Sequence, residues 1–114
     1  MRRLSALLFL AIALGCNKAT NTEPVAPLQA TVLATASNTF VDDNTAIRVG
    51  GTVTWQFQAN HSVIFTSKPG VPTDIPENSG GATVNRTFST SGVFEYHCGV
   101  SGHDHNGIIT VRTP

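Results

Sequence analysis

Residues 95 to 107, EYHCGVSGHDHNG, hold three of the four histidines in the chain and one of its two cysteines. Imidazole nitrogen and thiolate sulfur are donors for zinc, copper and related transition metals, whereas calcium and magnesium take oxygen. Cys98, His103 and His105 are therefore candidate ligands of a single metal ion, and His61 is the candidate from elsewhere in the chain. The competing reading of the same stretch is a polar loop on a small exported domain.

Which of these side chains can converge depends on the elements that carry them. From residue 29 onward the sequence reads as short strands between turn signals, with no segment of helical period and no internal repeat. ATVLATA (Ala30–Ala36) is a first strand. In AIRVGGTVTWQFQ, Ile47 and Val49 share a face; after a turn at Gly50–Gly51, Val53, Trp55 and Phe57 point inward. HSVIF (His61–Phe65) follows, and residues 67 to 81, with three prolines and three glycines, read as loop. TVNRTF resumes with Val84 and Phe88 inward, and Arg86 fits that parity poorly. GVFEYHC puts Phe94, Tyr96 and Cys98 on one face, and GIITV closes with Ile109 and Val111 facing in. Seven to eight such strands around one modest core predict an all-β fold, an antiparallel sandwich or barrel.

Period-two alternation sends His97 to solvent if Tyr96 and Cys98 face the core. GVSGHDHN then joins two inward-facing strand ends, and a loop of that length can bring Cys98, His103 and His105 around one point. His61 opens its strand, so a sandwich can set it beside them. Two His and one Cys in a plane with a weak axial donor form the blue-copper arrangement.

The N-terminus carries a different signal. Arg2 and Arg3 precede an apolar run, Leu4–Leu14, too short to span a membrane but suited to a signal peptide. It closes on ALGC, which resembles a bacterial lipobox with Cys16 as the lipidated residue; an ordinary secretory signal is the alternative. Residues 1–15 are accordingly expected to be a signal peptide, 16–28 a lipidated cysteine and polar tether, and 29–114 the domain. The chain carries seven basic and seven acidic residues, which gives no footprint for nucleic acid. If Cys16 carries lipid, Cys98 is a lone thiol outside the reducing cytosol, and burial or metal ligation must account for it.

Between about residues 30 and 112 the chain resembles the plastocyanin-like cupredoxins, the small blue copper proteins. GTVTW (Gly51–Trp55), HSVIF with its opening His61, FEYHC (Phe94–Cys98) and GIITV (Gly107–Val111) carry the resemblance. It implies a two-sheet Greek-key sandwich, one copper ion and one-electron transfer. Many relatives read Cys-x2-His followed by a Met two to four residues later. Here Cys-x2 reaches Ser101, His103 stands at a Cys-x4-His spacing, and His105 occupies the Met place counted back from Gly107. The resemblance thus implies His61, Cys98 and His103 as ligands with His105 as the axial donor, Asp104 being the oxygen alternative. Ser62 stands where the family often has Asn, which implies a weaker brace from that strand to the ligand loop.

Three function classes follow: an electron carrier, a copper-holding or delivery lipoprotein, and a metal-free cupredoxin that binds a protein partner. The electron carrier leads. No second metal cluster and no nucleophile–base constellation suggests an enzyme. The expectation is a monomer in the bacterial cell envelope, held to the membrane by its lipid and exchanging electrons with an unidentified redox protein.

Overall fold

A computed structural model describes residues 25–114; the expected signal peptide, Cys16 and most of the expected tether lie outside the described residues. Among the described residues nine strands form: β1 (Gln29–Ala34), β2 (Phe40–Val41), β3 (Asn44–Arg48), β4 (Gly51–Phe57), β5 (His61–Phe65), β6 (Ile75–Asn78), β7 (Thr83–Phe88), β8 (Gly92–His97) and β9 (Asn106–Arg112). They make a sandwich of two sheets, ordered β2-β1-β4-β7 and β3-β9-β8-β5-β6.

Alternating apolar residues generate the core, because successive side chains leave a strand on opposite faces. On β4, Val53, Trp55 and Phe57 are buried while Gln56 is exposed. On β8, Phe94 and Tyr96 are buried while Val93, Glu95 and His97 face out. Val32, Ile47, Val63, Phe65, Phe88, Ile109 and Val111 complete the inner layer. Its aromatic rings meet edge to face, Trp55 against Tyr96 at 5.5 Å and Phe65 against Phe88 at 5.9 Å, the arrangement their quadrupoles favour.

Three features depart from the sequence reading. The strands number nine because two were missed. β2 has only two residues, and β6 falls inside the segment read as loop, with Ile75 fully buried. Pro76 disguises β6, yet it sits on the outermost strand of its sheet, where a missing N–H costs no central ladder bond. The sheets are also mixed and not purely antiparallel: β1 pairs parallel to β4, and β3 parallel to β9. Between β1 and β4 the chain crosses to the opposite sheet through β3 and returns, which restores the original direction.

Arg86 has its own explanation. β7 lies at a sheet edge, so its side chain leaves the core and bonds the loop before β6. Its guanidinium donates to the Thr73 and Asp74 carbonyls, both at 2.8 Å, and Asp74 in turn accepts the Phe65 N–H at 2.8 Å. An arginine at an inward parity thereby ties the long connection to β7, while the Asp74 carboxylate ties it to β5.

Candidate metal centre

One end of the sandwich collects the polar residues. β5 begins there with His61, which is fully buried. Its Nε2 lies 2.7 Å from the Thr35 carbonyl. A carbonyl only accepts, so the proton resides on Nε2 and Nδ1 presents a bare lone pair to the site. β8 continues inward to Cys98, 5 % exposed, the free cysteine among the described residues.

The loop from Cys98 to His105 is closed by its own backbone. The Cys98 N–H donates to the His105 carbonyl at 3.0 Å, and the His103 N–H to the Val100 carbonyl at 3.0 Å. In that second turn Gly102 has φ of 81°, the left-handed value required at the third position of a type II turn. Ser62, next to His61, accepts the Gly99 N–H at 2.7 Å. The brace from β5 to the ligand loop, expected to be weaker than one from Asn, is thus made by a direct bond. Below the loop, a side chain at Gly107 would collide with the Tyr96 ring, so glycine is what lets β9 close over the tyrosine.

These constraints bring His61, Cys98, His103 and His105 together, with one donor atom from each lying within 4.8 Å of the others. Cys98 Sγ is 3.7 Å from His61 Nδ1 and 3.8 Å from His103 Nδ1, and the two nitrogens are 3.4 Å apart. Metal–nitrogen bonds of about 2.0 Å and metal–sulfur bonds of about 2.3 Å in tetrahedral geometry require N···N and N···S separations of about 3.3 and about 3.5 Å. Three donors therefore already stand at the spacing one ion demands, and His105 is the looser fourth. Both its ring nitrogens are buried without a hydrogen-bond partner. Desolvation first, then the nearby His61 and His103, lowers its pKa from 6.5 to about 4. A half-buried, neutral imidazole whose shielded ring nitrogens lack partners is a group whose desolvation cost a metal would relieve.

The remaining candidates separate from the group. Asp104 is exposed and contributes no donor to it. His97 is exposed, as strand alternation requires, and only borders the open surface cavity that Cys98, His103 and His105 also line. Two contributors were not foreseen, and both come from the β1–β2 hairpin. Thr35 orients His61, and Phe40 packs its ring 4.3 Å from that of His105. The only signal in the sequence was an isolated aromatic in a polar stretch, NTFVDD.

No protein-family model and no curated protein sequence matches the chain. Solved structures do. A copper-containing nitrite reductase from Thermus scotoductus superposes with a TM-score of 0.68 at 24 % identity, over 79 % of this chain but only 24 % of that protein. A purple cupredoxin from Nitrosopumilus maritimus gives 0.59 at 25 % identity, over 73 % of this chain and 99 % of the other. An amicyanin variant in its Cu(I) form gives 0.63 at 23 % identity, over 78 % and 87 %. The chain has the cupredoxin fold.

Proposed function

We propose that this cupredoxin fold serves a single-copper electron carrier, with the ion held by His61, Cys98 and His103 and His105 as fourth donor. The observation that carries the reading is the convergence of one thiol and three imidazoles at ligand spacing on one end of the sandwich. The donor chemistry alone suits zinc as well as copper. Similarity to a copper-containing enzyme and to a protein solved as Cu(I) favours copper.

Bound there, copper would supply a one-electron Cu(I)/Cu(II) couple. The chain's own contribution is to hold the donors still. His61 is fixed by Thr35, Gly99 by Ser62, and the Cys98–His105 loop by its internal hydrogen bonds. Little has to move between oxidation states. His103 is half-buried, and its outer edge is the natural exit toward a redox partner. Because the chain spans about a quarter of the nitrite reductase it matches, that protein's catalysis is not carried over.

The cellular setting is part of the proposal and rests on sequence: export, lipidation of Cys16, and a tethered monomer at the cell envelope. Among the described residues no helix is long and apolar enough to cross a membrane. The test is a copper-loaded full chain carrying Cys16→Ser. Expected are loss of membrane retention, a visible thiolate-to-copper band with a Cu(II) resonance signal, and reversible one-electron reduction. Colourless copper binding would make the protein a copper store or donor, and no binding a metal-free module; either overturns the electron-carrier reading. Continued membrane retention would reject the anchor.

A further inference from the structure

The four clustered side chains are not equally anchored. His61 is fixed through its far nitrogen, and Cys98 sits at the end of a paired strand. His103 follows a hydrogen-bonded turn and has its Nδ1 against both His61 and Cys98. His105 has a bonded carbonyl, but neither ring nitrogen meets any hydrogen-bonding partner. Nothing polar sets the orientation of its imidazole.

What touches that ring most closely among the aromatic contacts is Phe40. The centroids are 4.3 Å apart with planes tilted by 56°, closer than His61 at 4.8 Å or His103 at 5.8 Å. Phe40 is itself 5 % exposed and leans edge-on against Tyr96 at 5.0 Å. Tyr96 is pinned in turn between Trp55 and Gly107. Phe40 is therefore a wedge between the rigid aromatic core and the one candidate ligand without a polar tether. Its own place is set by the hairpin, through the bond from the Thr35 N–H to the Thr39 carbonyl at 2.9 Å and by Asp42 at φ 63° just beyond β2.

We infer that Phe40 is a positioning residue that fixes how closely the His105 imidazole approaches the metal. The inference rests on the proposed metal-binding reading. One short hairpin then governs two donors by different means: Thr35 orients His61 by a hydrogen bond, and Phe40 confines His105 by packing. Removing the Phe40 ring leaves a void beside an imidazole with free torsions, and close-packed interiors hold such a ring only while the space is filled. The fourth donor would swing away or give place to water, while the other three stay.

The test is a double-mutant cycle on the full chain carrying Cys16→Ser, reading the charge-transfer spectrum and reduction potential with copper. Phe40→Ala should move both toward the values of His105→Ala: a bluer spectrum and a higher potential. In a His105→Ala background, Phe40→Ala should add almost nothing. Wild-type values for Phe40→Ala, or a shift that persists at full size without His105, would overturn the inference. If Phe40→Ala does not fold, Phe40→Leu keeps most of the apolar volume without the flat ring and carries the same cycle. If the wild-type chain shows no thiolate-to-copper band, the copper reading has failed separately. The cycle is then read from Co(II) d–d bands, where Phe40→Ala should reproduce the His105→Ala coordination change or the inference falls.

Discussion

The middle of the sandwich is fully buried and its candidate metal end only partly so, and different forces hold them. In the middle, Phe65, Phe88 and Phe94 meet one another through ring contacts of 5.5 to 5.9 Å, and burial is itself the stabilising term. At the end, a thiol and three imidazoles crowd within 4.8 Å, and His105 keeps two buried nitrogens without partners. Burying polar groups in that way opposes folding. The middle is not wholly free of this cost. The Trp55 Nε1 and the Tyr96 hydroxyl are buried as well, without a hydrogen bond of good geometry, and burial raises the tyrosine's pKa so that it stays neutral. The difference teaches that the apolar middle supports a fold that can hold an unfavourable, preassembled donor set until an ion relieves it.

Substitutions should separate the two regions. The largest stability effect belongs to the middle: Phe88→Ala should cost about 3–5 kcal/mol in chemical denaturation, as for other buried aromatic truncations, and leave the colour of the folded copper form unchanged. A large colour change would mean that the two regions are not separable. Cys98→Ser should do the reverse, abolishing the thiolate band while the metal-free protein melts within a few degrees of wild type. An unchanged spectrum would remove Cys98 from the ligand set.

His105→Met is the intermediate case. A nitrogen donor favours Cu(II) more than a thioether does, so the substitution should raise the potential and make the spectrum bluer. It should also change the acid behaviour of the metal-free protein. The folded His105 pKa is lowered to about 4, so between the unfolded value of 6.5 and 4 the unfolded chain binds a proton that the folded chain does not. This contribution to stability is present above about pH 6.5 and is lost as pH falls toward 4. Methionine should flatten that part of the profile, and denaturation midpoints across the window measure it. If potential, colour and acid profile all stay as they were, His105 is only a loop residue. The smallest effect belongs to His97→Ala, which should shift the potential and spectrum negligibly, because strand alternation turns the ring outward.

Much of this architecture could be read from patterns of local origin. Period-two alternation placed Trp55, Phe94 and Tyr96 inward and His97 outward, because pleating depends only on backbone geometry. It failed at β6, where Pro76 reads as a loop residue unless the strand is known to be an edge, and at Arg86, whose carbonyl partners lie 12 and 13 residues away. The partner of the Ser62 hydroxyl, the Gly99 N–H at 2.7 Å, lies 37 residues away and is likewise outside any local pattern.

The donor types, the inward parity of Cys98 and the polar loop that follows it are legible in the chain's residues alone, since these depend on side-chain chemistry and on neighbours a few residues apart. Only the tertiary structure decided that His61 comes within 3.7 Å of a sulfur 37 positions later, that Thr35 leaves its Nδ1 bare, and that Phe40 backs His105. Those outcomes depend on how two sheets stack and where a two-residue strand pairs. No local pattern encodes that geometry, because it arises only when the apolar faces close on one another.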